Sequence, residues 1–334
     1  MKAAFINSYG QFDQIKIGDI DRPEIDDHDV LIKMKAASVN PIDWKMVHGD
    51  LKALIKLKFP LVLGSDGAGV IEEVGAGVTE FNVGDEVFFR CDKANIGTFA
   101  EYFAIPANLI AKKPTNMSFE EAASIPLVGL TTYQALKEKA GMTEGSRVLI
   151  HAGAGGVGSF AIQFAKAFGA HVATTASKKR FVLLAELGAD EIIDYQSQHI
   201  ENELNGFDIV FNTLGDSVQE PSYKTLKKGG VLVNVLGIPE PLVVAQYTSN
   251  ILVKLISHIN QWRKEGLAAK YNAKYKHLLM YADGKQLREI ADLIEAGKIR
   301  AIIDSTFPLA KVKEAFERSA TGRAQGKIII KISD

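Results

Sequence analysis

The 334-residue sequence has one cysteine, Cys91, and almost no net charge. One thiol excludes a disulfide framework and any zinc site built from several cysteines, and it fits a reducing compartment. With 39 Lys and Arg residues against 40 Asp and Glu residues, the net charge of −1 excludes nucleic-acid binding through a basic face. Apolar runs stay well below the roughly 18 residues of a membrane span, and Asn7 interrupts any signal-peptide core. We therefore expect a cytoplasmic protein without a nucleic-acid or membrane partner.

The first 110 residues or so have the pattern of short strands. Apolar runs such as 30–32 and 87–89 alternate with Gly, Pro and Asp clusters, which is typical of a partly open β-barrel with tight turns. Ser118 then predicts a helix start, because Glu121 stands at the position of a capping box, and Pro126 interrupts that helix. A further helix is predicted at 131–140.

Residues 147–236 alternate between strands and helices, which indicates a parallel, doubly wound sheet. The predicted strands are 147–151, 172–175, 191–193, 207–211 and 231–235, and the predicted helices are 159–168 and 180–187. Two more helices are expected at 246–266 and 286–296. A closing strand is expected at 328–332.

A glycine-rich turn is the sharpest sequence signal. Gly153, Gly155 and Gly158 form the pattern Gly-x-Gly-x-x-Gly between a buried strand and an amphipathic helix. Gly153 permits the tight turn, Gly155 lets the backbone approach a pyrophosphate, and Gly158 allows the helix to pack closely on the strand. The helix N-terminus supplies N–H groups and a positive dipole to the phosphates. This pattern predicts a dinucleotide site, although an ordinary strand-to-helix turn rich in glycine is the alternative.

The end of the second strand indicates which dinucleotide is bound. An NAD site usually has an acidic residue there, but this sequence reads 174–180 as Thr-Thr-Ala-Ser-Lys-Lys-Arg, with no acid before Glu186. Cationic side chains suit a 2′-phosphate, whereas they are unfavourable at a helix start without an anion. We therefore expect NADPH as the cofactor.

Motifs along nearly the whole chain resemble a known family. The motifs are residues 38–45 (Ser-Val-Asn-Pro-Ile-Asp-Trp-Lys), 64–69, 123–133, 152–158, 187–190 and 326–327. They resemble the medium-chain dehydrogenase/reductase superfamily, in its zinc-free branch of zeta-crystallin-like quinone oxidoreductases and alkenal/enone reductases. The resemblance implies a GroES-like barrel domain and a Rossmann domain, with the active site in the cleft where the domains meet. We expect the first domain at 1–122, completed by 299–334, and the Rossmann domain at 123–298.

Three positions separate this chain from the zinc alcohol dehydrogenases. Asn40 stands in place of a cysteine ligand, Ser65 in place of a histidine, and Val128 in place of the third ligand. Because catalytic zinc usually takes three protein ligands, metal-dependent alcohol oxidation is disfavoured. Conjugated acceptors need less stabilisation of the developing negative charge, because hydride addition to a quinone or an enone delocalises that charge over the acceptor. The resemblance thus implies NADPH-dependent reduction of a quinone or an α,β-unsaturated carbonyl compound.

The resemblance also implies roles for individual residues. Lys45 and Asn40 lie near the nicotinamide and the substrate oxygen, and we assign Lys45 to stabilising the oxyanion. The expected cofactor-binding residues are Lys45, Thr131, Thr132, Gly153, Gly155, Gly156, Val157, Gly158, Ser177, Lys178, Arg180, Tyr195, Leu236, Gly237, Gly326 and Lys327. No metal ligand is expected.

Several of these residues have plainer explanations. Lys45 could belong to a solvated run with Lys52, Lys56 and Lys58, and Asn40 could merely cap a turn before Pro41. Tyr195 could cover core at a strand end. Asp43 is interpreted as structural, bonding backbone in the same turn.

Other properties stay open at this level. The pocket is expected to be lined by parts of 44–55 and 90–97, which permit a small apolar acceptor without naming it. An apolar strand at 275–280 could pair edge to edge in a homodimer or belong to the core. Two alternative functions remain: a 2-enoyl thioester reductase, whose tyrosine proton donor has no clear counterpart, and an NADPH-binding sensor with little turnover.

Overall fold

The computed structural model describes residues 1–52, 57–92 and 95–333, which form two compact units. The first unit is Met1–Leu130 with the chain from Tyr281 onward, and the second unit is Thr131–Met280. These divisions differ from the expected boundaries after 122 and 298. The helix that follows Asp283 packs within the first unit, where a Cβ atom on Gly284 would lie 2.6 Å from the Asn108 carbonyl oxygen.

Strands predominate in the first unit, whereas strands and helices alternate along most of the second unit. The strands are β1 (Lys2–Ile6), β2 (Lys16–Asp19), β3 (Asp29–Val39), β4 (Leu61–Val62), β5 (Asp66–Val74), β6 (Glu86–Arg90), β7 (Tyr102–Pro106), β8 (Ile110–Lys112), β9 (Arg147–Ile150), β10 (His171–Ala176), β11 (Glu191–Asp194), β12 (Phe207–Asn212), β13 (Leu226–Asn234), β14 (Lys274–His277), β15 (Ile303–Pro308) and β16 (Lys327–Lys331). The helices are α1 (Pro41–His48), α2 (Phe119–Ala123), α3 (Pro126–Tyr133), α4 (Gly156–Ala167), α5 (Phe181–Glu186), α6 (Ile200–Glu203), α7 (Gln219–Thr225), α8 (Pro241–Tyr247), α9 (Ile251–Lys270), α10 (Gly284–Glu295) and α11 (Val312–Ala320).

The first unit contains two sheets. The larger sheet has the order β15-β16-β3-β5-β6-β8, with β7 also paired to β3, and the smaller has the order β2-β1-β4. The closing strand β16 runs antiparallel to β3, with Ile328 opposite Val39. Large apolar side chains such as Phe89, Phe99 and Phe316 fill the core. The predicted β-rich first region and the predicted closing strand are both confirmed.

The second unit contains a parallel six-stranded sheet of order β11-β10-β9-β12-β13-β14. The chain winds outward from β9 to β11, returns to β12 on the other side of β9, and winds outward again. The strand order therefore reverses between β9 and β12, and ligands of such sheets bind at the carboxyl ends of the strands at this reversal. The predicted doubly wound sheet is confirmed.

Local signals explain where several helices begin. Ser118 and Glu121 form the predicted capping box, with the Ser118 N–H donating to Glu121 Oε2 at 2.9 Å. The predicted helix at 131–140 instead begins at Pro126, because proline suits the first turn, and it continues as a π-helix over Gln134–Lys139. The prediction of one helix at 246–266 is wrong: α8 and α9 are separate, because the Asn250 side chain caps a new helix by accepting from Leu252 N at 2.9 Å.

The predicted apolar strand at 275–280 corresponds to β14, which ends at His277 and lies at the edge of the parallel sheet. The His277 N–H donates to Glu240 Oε1 at 3.1 Å, so part of this edge is occupied by the chain itself. Edge-to-edge pairing of two copies stays a prediction. Within the described residues, none of the helices combines the length and the hydrophobicity needed to cross a bilayer.

Candidate functional site

The glycine-rich turn joins β9 to α4 at the strand reversal of the second unit. Gly155 is the N-cap of α4, so Gly156 and Val157 form its first turn, where N–H groups have no earlier helical carbonyl to donate to. The turn is held on β10, since Gly153 N donates to Thr175 O at 3.0 Å and Ala152 N donates to Thr175 Oγ1 at 3.1 Å. The structure therefore places a rigid set of free donors where the sequence predicts a pyrophosphate.

The three glycines of the motif have different reasons to be glycine. A Cβ atom on Gly158 would collide with the Ala152 carbonyl oxygen and lie 2.7 Å from Gly153 Cα, and one on Gly153 would collide with Thr174 Oγ1. A Cβ atom on Gly155 would meet nothing closer than 3.4 Å. Gly153 and Gly158 are thus required by packing, while the space at Gly155 is open to a ligand.

A repeated motif that the sequence analysis missed forms two more turns at this edge. The pattern Asn-x-Leu-Gly ends both β12, at 212–215, and β13, at 234–237. Each asparagine folds the chain back: Leu214 N donates to Asn212 Oδ1 at 2.9 Å, and Leu236 N donates to Asn234 Oδ1 at 3.2 Å. Both glycines have positive φ, +82° and +99°, which favours glycine. The predicted nicotinamide contacts at Leu236 and Gly237 therefore lie in a turn that Asn234 fixes.

The basic residues lie just past the carboxyl end of β10. Ser177 and Arg180 are half-buried and Lys178 is exposed, with no acidic residue in this turn or in the first turn of α5. The neighbouring strand β11 pairs Asp194 with Ala176, so Tyr195 also follows the same sheet edge. Tyr195 is 61% exposed, and its alternative role as a cover for the core is therefore wrong.

His151 supports the turn from inside the sheet. Its Nε2 lies 2.8 Å from Ser222 Oγ, which itself donates to Val218 O, and its Nδ1 lies 3.3 Å from Thr175 Oγ1. Burial lowers the pKa of His151 to about 4, so the ring is neutral at pH 7. A neutral Nε2–H tautomer satisfies both contacts. His151 is therefore a structural residue that supports the turn.

The two predicted threonines lie at the end of α3. Thr131 and Thr132 are both buried, and the Thr132 Oγ1 atom has no hydrogen-bond partner among the described residues. A buried hydroxyl without a partner costs about 1–3 kcal/mol, so a ligand that bonds to it recovers that energy.

A second cluster of polar side chains is buried in the first unit, around the start of α1. The Asn40 amide donates to Ser38 O at 3.2 Å and to Asp66 Oδ1 at 2.9 Å, and its Oδ1 accepts from Lys327 Nζ. Lys327 also donates to Val39 O at 3.2 Å. The predicted residues Asn40 and Lys327 are therefore brought together, but they bond to each other rather than point outward.

The predicted structural role of Asp43 is confirmed by its hydrogen bonds. Its Oδ2 accepts from Asn40 N at 2.7 Å and its Oδ1 accepts from Ser65 Oγ at 2.6 Å. Burial raises its pKa to about 6, with the nearby Asp66 adding to the effect, while the Ser65 and Asn40 bonds and the Arg90 charge oppose it. Burial also lowers the pKa of Lys327.

Arg90 completes this cluster and was not singled out from the sequence. It is 2% exposed and donates to Ser65 O at 2.7 Å, beside Cys91. Burial raises the pKa of the Cys91 thiol to about 12, so this cysteine is not a reactive thiolate. No sequence pattern marks Arg90, because an arginine that ends a strand ordinarily reaches solvent.

Two of the three positions that correspond to zinc ligands belong to this cluster. The side chains of Asn40 and Ser65 already make hydrogen bonds, to Asp66 and Asp43 respectively, and Val128 is a buried apolar residue. Within residues 1–52, 57–92 and 95–333, no three His, Cys, Asp or Glu side chains are grouped as metal ligands would be.

Lys45 differs from the lysines near it. It is half-buried, with Nζ 5.7 Å from the centre of the Trp44 ring, whereas Lys52 and Lys58 are exposed. Trp44 packs on the core, and its Nε1 donates to Ser319 Oγ at 3.3 Å. Lys56 lies outside the described residues, as do residues 53–55 of the predicted pocket stretch 44–55 and residues 93–94 of the predicted pocket stretch 90–97.

The backbone conformation at position 326 requires glycine. Its φ is +84°, and a Cβ atom there would collide with the Ile302 carbonyl oxygen, to which Lys327 N donates at 2.8 Å. Its predicted contact with the cofactor stays a prediction.

The fold and the strand-end turns define a dinucleotide-binding, two-unit protein. The residues present fit NADPH: open space at Gly155, free helix N–H groups, and cations without a carboxylate past β10.

The particular family follows from comparison with known proteins. Residues 26–115 match the alcohol dehydrogenase GroES-like domain, and residues 187–330 match the zinc-binding dehydrogenase family. The chain belongs to the medium-chain dehydrogenase/reductase superfamily, which confirms the resemblance and the fold class.

Individual relatives align along almost the whole chain. A 2-methylene-furan-3-one reductase of Solanum lycopersicum is 36% identical, covering 99% of this chain and 79% of its own. A chloroplastic NADPH-dependent alkenal/one oxidoreductase of Arabidopsis thaliana is 33% identical with the same coverage. The solved quinone oxidoreductase of Coxiella burnetii superposes with a TM-score of 0.87 at 33% identity, covering 100% and 99% of the two chains. Since one relative is chloroplastic, the cytoplasmic location stays a prediction.

The glycine geometry predicts that two alanine substitutions have different effects. Gly158→Ala should lower the free energy of unfolding by about 1–3 kcal/mol, because its Cβ forces the turn apart. Gly155→Ala should leave stability nearly unchanged and weaken NADPH binding at least about tenfold, because its methyl group enters the open space. Thermal denaturation and a fluorescence titration with NADPH measure the two effects. Equal destabilisation by both variants would contradict this division of roles.

Asp43 predicts a pH dependence of stability. Its carboxyl binds a proton more tightly in the folded chain, with a pKa of about 6, than at its ordinary value of 3.8. Its contribution is therefore fully present below pH 3.8 and is lost as the pH rises through 6, by about 3 kcal/mol at most. Chemical denaturation between pH 4 and pH 7.5 should show this fall in the wild type and not in Asp43→Asn. The exposed Asp50→Asn variant is the control, and a wild-type profile parallel to that of Asp43→Asn would refute the assignment.

Proposed function

We propose that the protein transfers hydride from NADPH to quinones or α,β-unsaturated carbonyl compounds, and that it does so without a metal ion. The observation that carries this proposal is the donor set at the zinc-ligand positions. Asn40 and Ser65 are neutral side chains already bonded to Asp66, Lys327 and Asp43, and Val128 offers no donor. The names of the Arabidopsis and Coxiella relatives support the same substrates and cofactor.

A conjugated acceptor suits such a site. When a hydride adds to the β-carbon of an enone, or to a quinone, the negative charge moves onto an oxygen and is delocalised. Hydrogen-bond donors and a positive charge then suffice to stabilise that oxygen, and solvent can deliver the proton. NADPH, when bound, supplies the hydride.

The chain's own residues divide the remaining tasks. The α4 N-terminus at Gly156 and Val157 binds the pyrophosphate, while Ser177, Lys178 and Arg180 bind the 2′-phosphate. The backbone at Leu236 and Gly237, with Thr131 and Thr132, holds the nicotinamide.

We assign the substrate oxygen to Lys45. Both amide protons of Asn40 are already donated, to Ser38 and Asp66, so Asn40 is a positioning residue that fixes the start of α1. Lys45 lies on the same helix, and no carboxylate among the described residues pairs with it. A cytoplasmic location is supported by the lone buried thiol.

Turnover with two acceptors tests the function and the role of Lys45. EDTA-treated protein should oxidise NADPH with a benzoquinone or a short-chain alkenal. Lys45→Ala should lower kcat by roughly 10- to 100-fold with little change in NADPH affinity, because it removes a charge that acts on the developing oxyanion. The exposed Lys52→Ala variant is the control.

Two results would count against the proposal. Tight NADPH binding without reduction of either acceptor would favour a thioester reductase or a nucleotide sensor instead. Full kcat/KM in Lys45→Ala would remove Lys45 from the chemistry.

Arg180 tests the cofactor preference. Arg180→Ala should raise the KM for NADPH about tenfold or more and leave the KM for NADH nearly unchanged, because only NADPH has a 2′-phosphate to pair with. Lys228→Ala, which removes an exposed cation of the second unit, is the control. The ratio of kcat/KM for the two nucleotides is the measurement, and an unchanged ratio would refute the role of Arg180.

A further inference from the structure

Two buried polar side chains of the second unit lack a hydrogen-bond partner. Every residue of this unit, 131–280, is described, and the two side chains are Thr132 and His277. Both ring nitrogens of His277 are affected, although the residue is only 3% exposed. Buried polar groups in native proteins nearly always have a partner, because an unpartnered group destabilises the fold. Such a group therefore indicates a ligand that supplies the missing bond.

The same unit satisfies another buried histidine completely. His151 is 1% exposed, and its two ring nitrogens lie within hydrogen-bond distance of Ser222 Oγ and Thr175 Oγ1. His277 is buried to a similar degree without such partners. The unpartnered ring of His277 is thus not a general consequence of burying a histidine in this sheet.

His277 lies at the edge of the sheet where the nucleotide is expected. It is the last residue of β14 and is paired in register with Asn234, which folds the turn after β13. Leu278 N donates to Asn234 O at 2.9 Å, so the chain that follows β14 runs beside this turn. The His277 ring lies beside the Leu236 carbonyl group, whose oxygen accepts from Asn234 Nδ2 at 2.8 Å. His277 therefore adjoins the predicted nicotinamide contacts at Leu236 and Gly237.

The charge state of His277 decides what kind of group it can bind. Burial lowers its pKa to about 4, against the opposing effects of Glu240 and the Leu236 carbonyl, so the ring is neutral at pH 7. A neutral imidazole has one N–H donor and one acceptor nitrogen. The Leu236 carbonyl favours the tautomer whose N–H is turned towards it. The other ring nitrogen is then an acceptor that needs a donor.

The charged groups near the ring do not supply that donor. Glu240 is an acceptor only: its Oε1 accepts from the His277 backbone N–H at 3.1 Å, and its Oε2 pairs with Lys139 Nζ at 3.6 Å. The Lys139 ammonium group is thus held by a carboxylate and makes no hydrogen bond to the ring. The acceptor nitrogen of His277 is left for a neutral donor.

We propose that His277 binds the carboxamide group of the nicotinamide ring, with one ring nitrogen accepting from the carboxamide NH₂. This inference rests on the proposed function, which places the nicotinamide at Leu236, Gly237 and Thr132. The carboxamide is the polar substituent of that ring, and its NH₂ is a neutral donor of the kind that His277 lacks. His277 thus distinguishes nicotinamide from a ring of the same size without the amide nitrogen.

Two nucleotides that differ in this one group test the contact. In the 3-acetylpyridine analogue of NADP⁺, a methyl group replaces the amide NH₂. The wild type should bind NADP⁺ about tenfold more tightly than the analogue, because only NADP⁺ donates to His277. His277→Leu should bring the two dissociation constants within about twofold of each other. Isothermal titration calorimetry measures both constants, and His258→Leu, which changes an exposed histidine of the same unit, should keep the wild-type ratio.

A third ligand and a stability measurement separate this role from a folding defect. 2′-Phospho-ADP-ribose lacks the nicotinamide, so the wild type and His277→Leu should bind it equally. Without nucleotide, the Tm of His277→Leu should equal or exceed that of the wild type, because the substitution removes unpartnered polar atoms. His151→Leu should lower the Tm by about 3 °C or more, because it removes satisfied hydrogen bonds.

Three results would overturn the proposal. The first is a wild type that binds the analogue as tightly as NADP⁺, which needs no variant. The second is the same preference for NADP⁺ in the wild type and in His277→Leu, as a buried water molecule on the ring would give. The third is a loss of 2′-phospho-ADP-ribose binding together with a lower Tm in His277→Leu, which would make His277 a structural residue.

These titrations contain no electron acceptor. Failure of the protein to reduce a quinone or an enone would therefore count against the proposed function and leave the contact of His277 with the carboxamide in place. Normal turnover with an unchanged binding ratio in His277→Leu would have the opposite meaning.

Discussion

The contact between Lys327 and Asn40 joins the two ends of the chain. Lys327 begins the closing strand β16, and Asn40 follows β3, with Asp66, Asp43 and Arg90 buried beside them. Removing one partner from such a buried ionic cluster typically costs 3–5 kcal/mol, because the remaining charges lose their compensation. The start of α1, and with it the position of Lys45, therefore depends on a strand that is added nearly 300 residues later.

In the second unit the functional geometry is mostly a property of the backbone. The turn after β9 is close to β10 because Gly153 and Gly158 lack side chains, and the turns after β12 and β13 are folded by their own asparagines. Such a surface suits the recognition of phosphate and amide groups through N–H and C=O groups, and we propose that side chains past β10 select the nucleotide. This division explains why the family signal is strong for the cofactor and weak for the substrate.

The sequence predicted what local chemistry decides. The strand–turn–helix at 147–167, the capping box at Ser118 and the basic end of β10 each follow from a few neighbouring residues. The cluster around Asn40 could not be predicted, since its members are far apart in the chain and Arg90 or Lys327 would usually be solvated. The repeated Asn-x-Leu-Gly was readable in the sequence, because two strand ends with the same turn residues belong to the same sheet edge.

The orientation of helix α9 could not be predicted from the sequence. Periodicity shows that a helix has an apolar face, but the direction of that face is decided by what the opposite face can bond to. Here Lys264 and Lys270 find carboxylates on the second unit, and each such partly exposed ion pair contributes little by itself. Ala268 of α9 also joins the core of this unit, whereas large apolar side chains such as Ile251 and Trp262 are exposed. The direction of the apolar face of α9 therefore depends on contacts between residues far apart in the sequence, which periodicity alone does not predict.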